Sequence, residues 1–495
     1  MRLGFIITRS FFTSVFFTVF FSFAKTSAQE TWSLQRCVEY ARNSSISLKQ
    51  SQNSIALAKL VNAQNRLNRL PNLSGSASGG WQFGRTIDPT TNTFNNQTIA
   101  FNSFGLNAGA TLFSGGFINN SIKQSEIDVK VAEQDAAAAF NNLALSVANA
   151  YLNILLSEEQ LSNAERRRKL SEDQLGQTDK LIAAGSIPAN DRLDVLAQMA
   201  NDDQAIVQAR NAIDLNYLTL RELMQLDPAV DFKIEQPKYA IPTDADPMGT
   251  TFGEVYGRAV NTQPQIMASE LRVQSAEVGV ELAKAGYYPT LSLFAGMDSR
   301  WSDASKIYSQ ELVGYDKVYN PIYINTDDLG LGLGEQVVNI GTEVPKYNLI
   351  TKDYAYVDQL RDNFGQSLGA SLRIPIYSNG SNSINQQRAE VGILSAKLNS
   401  DLQKQQLKND VQQAIAGARA GQLTLEASQK ASESAKVAYE NAEKRFQLGT
   451  INNLQLITAR NTYDTAETNL SVAKYDYLFR LKILDFYLGK EIKLD

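Results

Sequence analysis

The 495-residue sequence has no histidine and a single cysteine, Cys37. Without imidazole it can have no Ser-His-Asp triad, no histidine metal ligand and no histidine acid-base catalyst. One cysteine excludes an internal disulfide framework and a cysteine-held zinc cluster. Proline is scarce, with 12 residues, and none falls within 117–183 or 381–447. Neither charge is in large excess: 47 Lys and Arg stand against 52 Asp and Glu, a net charge of -5, which argues against a nucleic-acid partner. Beyond the N-terminus no stretch approaches about 18 consecutive apolar residues, so no transmembrane helix is expected, although an exported chain can still enter a membrane as a barrel. What remains is 43% hydrophobic, enough for a core and too much for a disordered chain.

Arg2 and Arg9 precede or flank an apolar run from Phe11 to Phe23, and Thr26-Ser27-Ala28 offers small residues at a cleavage point. Residues 1–28 therefore read as a secretory signal peptide, with a membrane anchor as the alternative. Cys37 follows Arg36 and lies well past the apolar run, so it does not look like a lipid attachment site. It reads instead as an inert residue on the first helix.

The chain is built twice. Ala41-Arg42-Asn43 recurs as Ala259-Val260-Asn261, and Pro71-Asn72-Leu73-Ser74 as Pro289-Thr290-Leu291-Ser292, both offset by 218. Leu112-Phe113-Ser114-Gly115-Gly116 recurs as Ile376-Tyr377-Ser378-Asn379-Gly380, and Gly185-Ser186-Ile187 as Gly449-Thr450-Ile451, both offset by 264. The same order of four landmarks defines an internal repeat, with residues 29–248 as the first copy and 249–495 as the second. The extra length of the second copy falls between Pro289 and Ile376.

Each copy changes period in the same sequence. Helical spacing covers about 33–68 and 251–286. Period two follows. Leu73, Gly75, Ala77, Gly79, Trp81 and Phe83 form one run, and Phe104, Leu106, Ala108, Ala110 and Leu112 the next. In the second copy the runs are Leu291, Leu293, Ala295 and Met297, then Leu368, Ala370, Leu372, Ile374 and Ile376. These predict four strands, each with one apolar face. Pro375 is tolerable only near a strand end or bend. The polar segments 85–100 and 299–363 between the strand pairs read as surface loops, the second extended. Trp81, Phe83 and Trp301 are candidates for an interfacial aromatic girdle, with ordinary packing as the alternative.

Long proline-free helical patterns then cover 117–183 and 381–447, each about 100 Å at 1.5 Å per residue. Leu143, Val147, Ala150 and Ile154 step along one as a coiled-coil-like seam, and Leu407, Val411, Ala414 and Ala418 step along the other. Gly185 and Gly449 suit helix C-caps. Return helices are expected over about 189–226 and 454–488, giving two helical hairpins with tips at 185–191 and 449–455. The fold class is therefore α+β. Four strands cannot close a barrel, and open edges do not survive in lipid, so copies of the chain must contribute together. Three copies would give twelve strands, but the sequence alone fixes neither the number nor the closure.

From Trp32 to about Lys490 the chain resembles the TolC-like outer membrane efflux protein family. The resemblance rests on the doubled arrangement, on the lead-ins Pro71-Asn72-Leu73 and Tyr288-Pro289-Thr290-Leu291, and on the Gly-led tips. These tips read Gly185-Ser186-Ile187-Pro188-Ala189-Asn190-Asp191 and Arg445-Phe446-Gln447-Leu448-Gly449-Thr450-Ile451. The resemblance implies a homotrimer sharing a twelve-stranded outer membrane barrel, continued by a helical tunnel across the periplasm. It also implies a periplasmic adaptor and an inner-membrane transporter as partners, contact with outer membrane lipid, and transport without catalysis, cofactor or metal.

Family members often carry two carboxylates three residues apart at the second tip. Here those places hold Gln455 and Thr458, while the first tip has Asp191 and Asp194 at that spacing. Residues i and i+3 share a helix face, so three copies would ring the tunnel mouth with six acids that favour cations. Capping or simple solvation in the first helical turn is the alternative. Gly185, Ser186, Ile187, Gly449, Thr450 and Ile451 are candidate adaptor contacts, or caps and nothing more. Lys180, Lys444 and Arg445 suit either an adaptor or a helix C-terminus. Two other function classes stay open: a passive outer membrane porin, and a non-catalytic periplasmic coiled-coil scaffold. The long alanine-rich hairpins argue against the first and the four alternating strands against the second.

Overall fold

An antiparallel sheet of four strands carries the alternating runs. The structure is a computed structural model, and it describes residues 31–87, 92–96, 98–236, 247–325, 327–328 and 330–490. The expected signal segment lies outside the described residues. A short strand β1 (Thr31–Trp32) leads into α1 (Leu34–Ser44) and α2 (Ile46–Leu67). Strand β2 (Asn72–Gln82), the small hairpin β3 (Arg85–Ile87) and β4 (Phe94–Asn96), and β5 (Ile99–Ser114) come next. Then α3 (Phe117–Ala183), α4 (Asp191–Met224) and the two-residue β6 (Lys233–Ile234) complete the first half. The second half contains α5 (Phe252–Thr262), α6 (Pro264–Lys284) and β7 (Thr290–Ser302). It continues through β8 (Lys306–Asn325), β9 (Glu335–Asp353), α7 (Tyr356–Asp362) and β10 (Gly365–Arg373). It ends with α8 (Ser381–Gln447) and α9 (Asn453–Tyr487).

The chain divides into two units, Asn53–Asp135 with Gln265–Gln403, and Met1–Gln52 with Ala136–Pro264 and Lys404–Asp495. In the first of these the strand order is β10-β7-β5-β2. The register places Leu73, Ala77 and Trp81 on one face, with Phe104, Leu106 and Ala108 from β5. Leu293, Ala295 and Met297 from β7, and Leu368 and Leu372 from β10, share that face. Most of its large side chains are open to solvent, Leu368 at 85% and Leu73 at 76%. The opposite face carries Ser74, Ser76, Ser78, Ser103, Asn107, Ser292, Ser367 and Ser371 with glycines between them. A protein core would bury the first face; here nothing among the described residues covers it.

Within the same unit α2 and α6 are tied to α3 by ion pairs and a hydroxyl. Arg66 meets Glu126 at 2.7 Å, Arg272 meets Asp135 at 2.6 Å, and Ser275 Oγ donates to Asp128 at 2.7 Å.

In the other unit, α3 packs Val147, Tyr151 and Ile154 against Trp32, Cys37, Leu220, Met224 and Phe232. Helix α3 is the one described helix long and apolar enough, by length and composition, to cross a membrane. Its most apolar stretch is apolar on average and is not a run of about 18 consecutive apolar residues, so the expectation of no such run is not contradicted. Part of that apolar surface, Val147, Tyr151 and Ile154 among it, is buried in this core. The seam residues Leu407, Val411, Ala414 and Ala418 are all buried.

Three expectations change. Each early helical stretch is two helices. Gln263 adopts φ -76 and ψ 120 because Pro264 follows and disfavours helical backbone before it. Ser45 is extended at ψ 125, and its Oγ accepts from Leu48 N at 3.5 Å, starting α2 afresh. The 85–100 segment holds the β3–β4 hairpin, and 299–363 is largely the hairpin of β8 and β9 plus α7. The register of that hairpin shifts between Leu312 and Gly314, and such a bulge flips the alternation, which hides the strand period in the sequence. Finally β10 stops at Arg373, so Ile374 and Ile376 lie beyond it, two residues short of the donorless Pro375.

The turn from β5 into α3 depends on Gly115. Its φ is +61, and an added Cβ would lie 2.5 Å from Tyr288 Cβ and 2.8 Å from Ala285 O. Gly115→Ala should therefore lower stability by about 1–3 kcal/mol, read as a lower melting temperature of the detergent-extracted protein.

Candidate functional site: the hairpin tips and the buried lock behind them

Both tips end in the same backbone device. Gly185 has φ +67, Gly185 N donates to Ile182 O at 2.9 Å and Ser186 N to Leu181 O at 2.9 Å. Gly449 has φ +71, with Gly449 N on Phe446 O and Thr450 N on Arg445 O, both at 2.9 Å. These paired bonds satisfy the last carbonyls of α3 and α8 and need a left-handed residue, which glycine supplies without a Cβ penalty. Thr450 Oγ1 adds a bond to Arg445 O at 2.9 Å. Lys180 and Arg445 lie in the last turns, where a cation is favoured. An added Cβ at either glycine meets nothing within 4 Å, so the tips are open to solvent.

The return helices start differently. Asn452 caps α9 by accepting from Gln455 N at 3.0 Å. Asn190, in the same place before α4, is in the helical region and makes no side-chain cap bond. Asp191 and Asp194 both fall in the first turn of α4, half-buried and exposed respectively. Neither carboxylate has a hydrogen bond or ion pair among the described residues, while Arg192 between them pairs with Asp179 at 3.0 Å. Gln455 and Thr458 are exposed on α9, and Thr458 Oγ1 donates to its own helix at Leu454 O, 2.8 Å away. Asn453 joins the two tips. It is 2% exposed, donates to Asp191 O at 3.3 Å and accepts from Gln174 Nε2 at 3.2 Å. The start of α9 is thus hydrogen-bonded to both helices of the first hairpin.

Behind the tips lies a cluster that the sequence reading did not find. Arg460 on α9 is 1% exposed. Its Nη1 donates to Ser171 Oγ at 2.7 Å, and its Nη2 donates to Arg167 O at 2.5 Å and meets Asp202 Oδ2 at 3.3 Å. Ser171 on α3 also donates to Asp202 on α4, and Gln198 Nε2 reaches Asp202 Oδ1 at 3.1 Å. One guanidinium therefore ties α9 to α3 and α4. Its Nε has no hydrogen-bond partner and faces Asp464 Oδ2 at 3.7 Å, an ion-pair distance only.

Burial pushes the Asp464 carboxyl up from 3.8 to about 6, against the opposing pull of Arg460 and Arg167. Farther along, Asn163 bonds Ser471 at 3.2 Å, Arg166 meets Glu467 at 3.2 Å and Ser471 bonds Glu159 at 3.1 Å. From Arg460 to Ser471 the α3–α9 contact is polar, and beyond it Tyr475 and Phe479 of α9 pack on the apolar core of α3. The signal in the sequence was weak: Arg460 and Asp464 are i and i+4 on α9, a common spacing, and Ser171 and Asp202 come from two other helices with no local relation to them. Cys37 is buried at 0% exposure, and burial raises its thiol to about 12, so it stays protonated and unreactive.

Among the aromatic candidates, Trp81 and Phe83 are exposed at 70% and 78%. Trp301 instead packs on Tyr356 of α7 with centroids 5.4 Å apart. No group of three or more His, Cys, Asp or Glu residues fit to hold a metal occurs among the described residues.

The family described as outer membrane efflux protein matches residues 38–224 and 353–490. The chain is 23% identical over 370 residues to the outer membrane protein TolC of Vibrio cholerae, covering 74% of this chain and 72% of that one. It is also 23% identical over 425 residues to the cation efflux system protein CusC of Escherichia coli K12, covering 83% and 77%. In fold it is similar to the CmeC outer membrane channel of Campylobacter jejuni, with a TM-score of 0.71 at 16% identity, over 93% of this chain and 87% of that one.

The lock yields two expectations. Arg460→Ala leaves Asp202 buried without its cation and should cost about 3–5 kcal/mol, seen as early loss of helical circular dichroism on heating. Asp464 behaves with the opposite sign to a surface acid. Its folded pKa is above its unfolded value, so the folded chain takes up this proton first between about pH 6 and 4, and acidification across that window stabilises it. Asp464→Asn should remove that gain, and the melting temperatures of the two proteins should converge as pH falls toward 4.

Proposed function

The chain belongs to the outer membrane efflux protein family, and from that membership we propose that it is the channel-tunnel of a tripartite efflux or type I secretion system. The membership makes it an outer membrane transport protein rather than an enzyme. We read it as a homotrimer whose copies each lend β2, β5, β7 and β10 to a twelve-stranded barrel. Its long helices form the periplasmic tunnel, and residues 1–28 are a removed signal peptide.

The observation that carries this reading is the four-stranded sheet itself. One face is apolar and exposed, the other is lined by serine, asparagine and glycine, and the outer strands β2 and β10 each lack a second neighbour among the described residues. Lipid accepts such a sheet only when its edges are paired. The doubled build is supported by element positions: α1 and α5 start 218 residues apart, and α3 and α8 start 264 apart with the same length of 67 residues. In this reading Gly185, Ser186, Ile187, Gly449, Thr450 and Ile451 face an adaptor that joins an inner-membrane transporter. The open space around both glycines and the solvent-facing backbone support it.

Asp191 and Asp194 are the groups for a constriction at the tunnel mouth. What supports them is that neither carboxylate has a capping bond or ion pair among the described residues, which leaves both charges available to solution. Replacing both with Asn should lower the cation-over-anion permeability ratio of single channels in planar bilayers while leaving the helices intact. An unchanged ratio would remove these two residues from the mouth.

A further inference from the structure

The polar face of the sheet carries mostly small side chains, with Phe101, Phe294, Asp298 and Arg300 as larger ones, and its glycines are each overlaid by a neighbour. A Cβ on Gly105 would come 3.0 Å from Ser76 Oγ, one on Gly109 3.0 Å from Asn72 Oδ1, and one on Gly296 2.8 Å from Ser367 Oγ. Each partner is the residue opposite or beside it in the register, so these side chains lie along the wall rather than standing off it.

The same device is tightest under one bulky apolar group on this face, Phe294; the other, Phe101, lies over Gly80 with ordinary clearance, 3.5 Å from an added Cβ. Phe294 pairs with Gly369 on β10 and with Gly109 on β5. Its ring lies across Gly369: a Cβ added there would fall 2.4 Å from Phe294 Cζ and 3.0 Å from both Cε atoms. Real carbon atoms do not approach that closely. The colliding atoms are the far end of a side chain with two free torsions, so the ring would swing off the wall and the backbone would stay in place. The face it would swing into is the open one.

We propose that the Phe294–Gly369 pair sets the free width of the channel bore, with the missing Cβ of Gly369 holding three phenyl rings, one per copy, flat against the wall. This rests on the reading of the polar face as the lumen of a barrel. Glycine is demanded here by the space above it and not by its backbone, since its φ is not positive. Any larger residue at 369 converts a wide, hydroxyl-lined bore into one narrowed by an aromatic ring.

The test is thiol labelling past this level. Ser371 is on the same face two residues along β10, on the side that leads to α8. In the full chain carrying Ser371→Cys, native Cys37 is fully buried and gives little background. A small and a bulky methanethiosulfonate reagent are applied to intact cells. Gly369→Ala should slow the bulky reagent several-fold and leave the small one unchanged. Phe294→Ser alone should change neither rate much, and the double variant Gly369→Ala with Phe294→Ser should recover the original bulky rate.

Unslowed labelling in Gly369→Ala, or no recovery in the double variant, overturns the proposal. If Gly369→Ala fails to reach the outer membrane, recovery of assembly in the double variant would support the collision, and continued failure would overturn it. If Ser371→Cys resists even the small reagent while Leu372→Cys on the other face accepts it, the lumen assignment itself fails and the proposal with it.

Discussion

Backbone pairing in lipid is the constraint on which the rest of this structure depends. Inside a bilayer every N–H and C=O must find a partner within the protein, and an open sheet edge leaves a row of them bare. The main sheet ends at four strands, with β2 and β10 at its margins among the described residues. It also turns large apolar side chains outward where a soluble protein would hide them. Both features are unfavourable for a lone chain in water, and in the proposed barrel both would become favourable, with other copies completing the sheet in a membrane and the hydroxyl-lined face turned to water.

The helical part obeys a different rule. There apolar cores form around Trp32, Tyr151 and Phe232 and again around Leu425, Tyr477 and Leu481, and toward the tips the contact between α3 and α9 is made chiefly by hydrogen bonds and ion pairs. Arg460 is the centre of it. A buried guanidinium with hydrogen bonds to a carbonyl, a hydroxyl and a carboxylate is specific in geometry but modest in net stability, because desolvation offsets much of the attraction. Polar contacts of this kind fix which helix lies beside which. A seam of alanine with little else would allow sliding. The tips inherit that order through Asn453, which holds the start of α9 to both Asp191 and Gln174.

Much of this was legible in the sequence. Uninterrupted helical periodicity gave α3 and α8 their observed bounds, because no proline interrupts either and glycine ends both. The four sheet strands were legible from strict alternation. The β8–β9 hairpin was not, since its bulge at Leu312 to Gly314 breaks the phase and apolar and polar side chains are mixed on both faces. The breaks at Ser45 and Gln263 were legible in principle: Pro264 announces the second, and only a local side-chain bond marks the first. The lock around Arg460 had only a weak sequence signature, because Ser171 and Asp202 are more than 250 residues from Arg460 along the chain where α9 meets α3 and α4. Asp191 and Asp194 were visible through their spacing, and the structure places them at a tip, in the first turn of α4.

The most direct test of the account is a disulfide scan between sheet edges. One cysteine replaces Ser371 on β10, and single cysteines are placed in turn along β2 from Ser74 to Ser78, with the protein oxidised in the outer membrane. The account predicts covalent dimers and trimers at one register and nothing larger. Only monomers across the whole scan, or ladders continuing past three chains, would contradict it.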